Sequence, residues 1–181
     1  MKVVVTGGAG FIASYVVGHF YLDLKYDVIV LDRTTYAAKV KGLRSVLPHI
    51  KFLTGNLREK SVTDSLMREN PDAIVHMAAE THVDRSIDDP LSFVKSNIEG
   101  TVQLLQSVYE HHKFKKGMPP WPKIIVYSTD EVYGPTPEGE RFDESQGFNP
   151  SNAYSASKVG IEAYCNSFAA PNDVPPAPDN L

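Results

Sequence analysis

Tyr154 and Lys158 stand four residues apart in AYSASKVG, a spacing that puts both on one face of a helix. A tyrosine hydroxyl titrates near pH 10 unless a nearby cation stabilises the phenolate. Lys158 could supply that charge, although an exposed i,i+4 pair is the commoner meaning of this pattern. Upstream, Ser128-Thr129-Asp130-Glu131 sets two carboxyls side by side. The first thirteen residues, MKVVVTGGAGFIA, hold a third candidate. Gly7 permits a tight turn, and Gly10 lets the backbone approach a pyrophosphate at a helix N-terminus. Ala13 takes the third small position, where close helix–strand packing is the requirement. The spacing is G-x-x-G-x-x-A rather than G-x-G-x-x-G. Asp32 follows the glycines at about the 20-residue distance of a ribose-binding carboxylate. It would repel a 2′-phosphate and so favours NAD over NADP, whereas the adjacent Arg33 could bind that phosphate. With a dinucleotide present, an oxidised nicotinamide would add its charge to that of Lys158. Tyr154 could then take a proton from a sugar hydroxyl as hydride leaves the same carbon.

Alternating strands and helices must position these groups. Val3, Val4 and Val5 form an unbroken β-branched run, the signature of a strand buried on both faces. A helix is expected from near Gly10 through Tyr15, Val16, His19 and Phe20. Residues 27–31 (DVIVL) read as a second strand ending at Asp32, and 35–47 as a loop and then a short helix. A third strand is expected at 50–53. A helix follows at 61–70, with Ser61 or Thr63 as N-cap. A fourth strand at 72–77 runs into Ala78-Ala79, small residues suited to close contact with a cofactor, and then into a polar loop over 80–86. Pro90 opens a long helix reaching about His112, with Phe93, Ile98, Val102, Leu105 and Val108 near helical spacing. Residues 113–122 read as a basic, proline-containing loop holding Trp121. A fifth strand at 124–127 ends in the acidic pair. A long loop over 133–150 precedes the last helix, 151–169. This alternation predicts an α/β, Rossmann-type doubly wound parallel sheet of order 3-2-1-4-5, with ligands beyond the C-terminal strand ends. The glycine turn, Asp32, Ala78-Ala79 and residues 128–131 all fall at those ends.

Composition narrows the classes. The 181 residues carry 18 basic and 22 acidic side chains, a net charge of −4, so no basic excess points to nucleic acid or an anionic membrane. A lone cysteine, Cys165, excludes an internal disulfide and fits a reducing compartment. No apolar run reaches membrane-spanning length, and the first apolar residues break at once into glycines, unlike a signal peptide. The expected location is cytoplasmic. His76 and His82 lack the clustered spacing of a metal site, and His111 and His112 sit where a helix C-terminus favours positive charge. Residues 1–169 read as one domain. The proline-rich tail 170–181, APNDVPPAPDNL, is expected to be disordered or extended.

The chain resembles the extended short-chain dehydrogenase/reductase family over residues 1–169. The resemblance rests on residues 6–12 (TGGAGFI), 76–86 (HMAAETHVDRS), 97–101 (NIEGT), 128–134 (STDEVYG) and 154–158 (YSASK). It is most similar to nucleotide-sugar 4,6-dehydratases, the dTDP-glucose branch above all; related 4-epimerases usually lack acidic residues at 130 and 131. The resemblance implies a lyase that borrows NAD. Oxidation at sugar C4 acidifies the C5 proton. Glu131 removes that proton, Asp130 protonates the departing C6 hydroxyl, and hydride returns to C6. Thr129 hydrogen-bonds the C4 oxygen beside Tyr154. One carboxyl must be protonated while its neighbour is ionised, and like-charge proximity separates the two. Gly7, Gly10, Phe11, Ile12, Asp32, Asn56, Leu57, Ala78, Ala79, Thr81, Asn97 and Ser128 are implied in cofactor binding with Tyr154 and Lys158. His82, Asp84, Arg85 and Ser86 are implied in substrate binding. Asn56 departs from the family, which usually has aspartate there for the adenine amino group.

The family also pairs helices 90–112 and 151–169 between subunits in a four-helix bundle, which implies a homodimer. It continues past the tyrosine helix into a smaller substrate domain. This chain ends instead in its proline-rich tail. It is therefore expected to be a truncated form that binds NAD weakly and turns over no nucleotide sugar, because remote binding energy normally orients the reacting sugar. Other readings remain: a non-catalytic NAD-binding remnant, a UDP-glucose 4,6-dehydratase, or a UDP-sugar epimerase. Nothing in these residues separates a dTDP from a UDP substrate.

Overall fold

The computed structural model describes residues 1–113 and 121–169. The chain forms two compact units. The first comprises Met1–Ala78 and Gln103–Tyr127; the second comprises Ala79–Val102 and residues 128–169. The proline-rich tail and most of the loop before Trp121 lie outside the described residues.

The first unit is built on a parallel sheet of β1 (Lys2–Thr6), β2 (Asp27–Asp32), β3 (Lys51–Thr54), β4 (Ala73–His76) and β5 (Lys123–Val126). Its order is β3-β2-β1-β4-β5, as the sequence predicts. Val4 pairs with Ile29 on one side and Ile74 on the other, so the centre of β1 is hydrogen-bonded along both edges. Side chains alternate across a strand, and both faces of this sheet are apolar. Val3, Val5, Val28, Val30, Ala73 and Val75 pack with Ala13 and Val17 of α1 (Phe11–Leu22) and with Leu43 and Val46. Val4, Ile29, Leu31 and Ile74 face the other way. There they meet Leu66 and Met67 of α2 (Lys60–Arg68), and Leu104 and Val108 in a later helix run. Burying a side chain of this size stabilises by about 1.5–3 kcal/mol, so the β-branched runs explain both strand identity and sheet position.

The second unit is mostly helical. It holds α3 (Val83–Asp88), α4 (Pro90–Phe93), a π-helical turn (Val94–Glu99) and α6 (Ala153–Ala169). The π turn runs on into α5 (Gly100–Lys113), most of which belongs to the first unit. Asp89 caps α4 by accepting the Ser92 N–H, and Pro90 occupies the first turn. Gly160 allows α6 to approach the π turn, since a Cβ there would stand 2.8 Å from Ile98 Cδ1.

Several expectations shift. The polar stretch 80–86 is not all loop: its second half is α3, closed by Ser86 Oγ donating to the Val83 carbonyl at 2.7 Å. α2 starts at Lys60 with Glu59 at the N-cap and no side-chain cap, so neither Ser61 nor Thr63 caps it. Thr63 is instead buried, 2.7 Å from Ser107 Oγ on α5. The helix from Pro90 is continuous to Lys113 but contains the π turn, and α6 starts two residues later than expected, at Ala153. The short helix expected before residue 47 is a pair of 3₁₀ turns, Val40–Leu43 and Leu47–His49.

Candidate active site

In the first unit, β1 delivers the chain into the glycine turn. Gly7 has φ +69°, the left-handed region that glycine enters without a steric cost. A Cβ on Gly7 would lie 2.7 Å from Ala78 Cα, so the turn and the end of β4 are in backbone contact. Gly8 is constrained by packing, because its Cβ would meet Val30 Cγ1 at 2.7 Å. Gly10 donates to the Gly7 carbonyl at 2.8 Å and precedes α1, whose first turn has no side-chain cap. Phe11 and Ile12 are exposed. The result is a glycine-rich turn beside a helix N-terminus with no side-chain cap, which suits a pyrophosphate.

Asp32 is more than a solvated strand end. One carboxylate oxygen accepts the Ala9 N–H at 3.0 Å and the other accepts the Thr34 N–H at 2.7 Å. It thereby ties the glycine turn to the segment after β2 while keeping lone pairs for a ribose. Asn56 uses Oδ1 to accept the Arg58 N–H at 3.1 Å, and Leu57 is buried in the core facing α2. Thr6 and His76 form a buried 2.7 Å contact, and Thr6 Oγ1 also accepts the Ala78 N–H at 3.4 Å, a pairing that the spacing of His76 in the sequence does not reveal. Polar residues at the C-terminal ends of two adjacent apolar strands were the available signal for them.

The second unit carries the candidate acid–base groups. Asp130–Tyr133 forms a 3₁₀ turn whose N-cap, Thr129, accepts the Glu131 N–H through Oγ1 at 3.3 Å. The Thr129 side chain is also hydrogen-bonded to Tyr154. Asn152, just before α6, donates Nδ2 to Glu131 Oε2 at 3.0 Å. Tyr154 packs edge-on against Phe93, with ring centroids 6.4 Å apart. Burial pushes its hydroxyl above the ordinary value. The Thr129 hydrogen bond opposes that shift, and the charges of Glu131 and Asp130 add to it. Lys158, 5% exposed, is pulled down by burial to about 8, against the pull of Glu162. Burial is the largest influence at both groups.

Asn97 lies fully buried in the π turn. Its carboxamide accepts the Glu80 N–H at 2.7 Å and donates to the Glu80 carbonyl at 2.9 Å and to Ser157 Oγ at 2.8 Å. It therefore latches the segment after Ala79 to the helix of Tyr154 and Lys158. A π turn of this kind often marks a functional position. Thr81 and His82 are exposed just before α3, Asp84 and Arg85 are exposed on it, and Ser86 is buried beneath it. Ser128 and Glu162 are joined by a short hydrogen bond. The structure thus gathers Thr129, Asp130, Glu131, Tyr154 and Lys158 in one unit, and Gly7, Gly10, Asp32 and Ala78 in the other.

A 3-2-1-4-5 parallel sheet with this glycine turn, in a chain that also buries a Tyr-x-x-x-Lys helix, defines the extended short-chain dehydrogenase/reductase class. Within it the chain belongs to the GDP-mannose 4,6 dehydratase family, whose model matches residues 4–176. It is 38% identical over 165 residues to the dTDP-glucose 4,6-dehydratase of Mycobacterium tuberculosis, covering 90% of this chain and 47% of that protein. The Dictyostelium discoideum dTDP-D-glucose 4,6-dehydratase is 35% identical over 190 residues, covering 94% and 42%. Among solved structures, a Streptomyces venezuelae dTDP-glucose 4,6-dehydratase with NAD superposes at TM-score 0.82 with 36% identity, over 94% of this chain and 52% of that one. A Thermus thermophilus UDP-glucose 4-epimerase with NAD reaches TM-score 0.83 at 30% identity, over 96% and 52%. The chain spans about half the length of the curated relatives it matches.

Proposed function

We propose that this chain carries the cofactor and acid–base machinery of an NAD-dependent nucleotide-sugar 4,6-dehydratase, a lyase converting dTDP-glucose to its 4-keto-6-deoxy product. The observation that carries the reading is the hydrogen-bonded Thr129–Tyr154 pair, set among Asp130, Glu131 and a buried Lys158. The cradle at Gly7 and Gly10 and the carboxylate of Asp32 fit the pyrophosphate and ribose of a dinucleotide. NAD, when bound, supplies a hydride acceptor at C4 that gives the hydride back at C6.

The chain's own residues move the protons. Thr129 and Tyr154 hold the C4 oxygen, and Tyr154 takes its proton. Because burial raises the Tyr154 hydroxyl, it needs positive charge nearby to ionise, and Lys158 is the group one helical turn away. Glu131, oriented by Asn152, removes the C5 proton and returns a proton to C5 to complete the product. Asp130 donates to the departing C6 hydroxyl. The epimerase reading shares the fold, but epimerisation has no use for the two carboxyls. A homodimer through residues 90–112 and 151–169 fits the exposure of Leu91, Val94 and Tyr164 on those helices. A cytoplasmic location fits the single cysteine.

The test is single-turnover reduction of NAD with the protein in excess over dTDP-glucose, followed at the NADH absorbance, with NAD and NADP affinities measured beside it by fluorescence. We expect binding that favours NAD and, in a protein of the relatives' full length, a transient NADH signal that Tyr154→Phe abolishes without loss of NAD affinity. An equal transient in Tyr154→Phe removes that residue from the mechanism. Tighter NADP binding overturns the role of Asp32 and points to Arg33.

A further inference from the structure

Two consecutive residues at the start of the acidic segment grip α6 at two places. Thr129 is hydrogen-bonded to Tyr154. Ser128 donates Oγ–H to Glu162 Oε1, a short contact between residues 34 apart in sequence. Positions 154, 158 and 162 are spaced by four and so share one helix face, about 12 Å from first to last at 1.5 Å per residue. Lys158 lies between the two attachments. A single attachment lets a helix pivot against a turn. Two attachments separated along the axis fix both its rotation and its slide.

We propose that Glu162 is a positioning residue for the acid–base site: through Ser128 it braces the Asp130–Glu131 turn against α6, and it sets a counter-charge one turn from the buried ammonium of Lys158. The proposal rests on the dehydratase reading for the role of Lys158, but its geometry does not. An ordinary surface Glu–Lys pair at this spacing would contribute little. Lys158 differs because it is buried, where a charge needs compensation. The elements packed against α6 carry other charged groups: Asp84, Arg85 and Asp88 on α3, Lys95 and Glu99 on the π turn, and Asp130 and Glu131 on the 3₁₀ turn. Glu162 acts on Lys158 against its burial. The same carboxylate acts on Tyr133 and Cys165, so its field covers this end of the unit. Ser128 gains a direction as well. With its hydrogen committed to Glu162, its oxygen can only accept, which suits an amide N–H rather than a carbonyl.

Three variants separate the brace from the charge. Glu162→Gln keeps an acceptor for Ser128 but removes the charge. Ser128→Ala removes the brace and keeps the carboxylate. Glu162→Asp keeps the charge on a shorter arm. The readout is the titration of Lys158 by NMR on lysine-labelled protein, its resonance identified by loss in Lys158→Arg. We expect Glu162→Gln to weaken Lys158 proton affinity by about three- to tenfold, Ser128→Ala to weaken it less, and Glu162→Asp to restore most of it. An unchanged Lys158 titration in Glu162→Gln, with an unchanged thermal melt, overturns the proposal. This readout needs no turnover. If the wild-type protein at its relatives' full length fails to reduce NAD, the dehydratase reading falls while the Glu162 result still stands or fails by itself.

Discussion

Replacing Lys158 by methionine is expected to stabilise the fold at neutral pH. The ammonium is 5% exposed, and burial lowers its pKa from 10.5 to about 8. At about 1.4 kcal/mol per tenfold change in proton affinity, that interval corresponds to about 3 kcal/mol. The sign follows from which state holds the proton. Between about pH 8 and 10.5 the unfolded chain keeps the Lys158 proton and the folded chain releases it, so stability rises with pH across that window. Below about pH 8 the whole penalty is present. Methionine keeps the unbranched stem and removes the charge. It also loses whatever the ammonium contacts, so a net gain of about 1–3 kcal/mol at pH 7 is expected. The assay is urea denaturation of both proteins at intervals from pH 7 to 10.5. Other groups titrate here too: Cys165 is raised to about 11 and Tyr154 is raised by burial. Cys165 is present in each protein and cancels in the difference; Tyr154, whose ionisation depends on the Lys158 charge, is replaced by phenylalanine in both proteins so that it does not enter. The advantage of Lys158→Met should shrink steadily above pH 8 and vanish near 10.5. A constant difference across that range would refute the argument that a buried charge is the cause.

Asn97→Ala should lower stability by about 2–4 kcal/mol, because it strands the Glu80 backbone groups and Ser157 Oγ in a buried place; a thermal melt at pH 7 reads this, and a loss under 1 kcal/mol would mean the latch is dispensable. Gly7→Ala should cost at least about 2 kcal/mol, since the left-handed backbone alone costs about 1–2 kcal/mol before its Cβ meets Ala78 Cα at 2.7 Å. Its urea midpoint should fall well below that of Gly18→Ala, where a Cβ meets nothing within 4 Å.

What could be read beforehand depended on how far the deciding contact lay along the chain. The strands were legible because β-branched runs such as Val3-Val4-Val5 report burial on both faces directly, and the right-handed crossover rule then limits their order. The glycine turn was legible for the same local reason. The π turn left a trace that helical spacing alone did not interpret: Phe93 and Ile98 are five apart where a helix wants three or four, and Val94–Glu99 fills that gap. α3 left little trace, because VDRSID offers only Val83 and Ile87 at helical spacing, and its end is closed by the Asp89 N–H donating to the Arg85 carbonyl. Thr63 misled because a hydroxyl suited to capping is used across to Ser107. For the site, residue types pointed to Tyr154, Lys158, Asp130 and Glu131. The partners that orient them, Asn152 for Glu131 and Glu162 for Ser128, come from pairings 21 and 34 residues apart that no local pattern encodes.

The division of the described chain into two units has a consequence for inheritance. The chain passes from one unit to the other after Ala78, after Val102 and after Tyr127, so neither unit is a continuous stretch of gene. A single crossover between two related genes cannot exchange one unit whole. Residues 79–102 and 128–169 make up one unit, the second stretch holding the proposed acid–base side chains, while the glycine turn and Asp32 lie in the other unit. A new reaction on this scaffold is therefore reached most easily by point changes within those two segments. Asp130 and Glu131, adjacent codons in a turn fixed by the Thr129 cap, are the shortest such step: altering them leaves the dinucleotide cradle untouched.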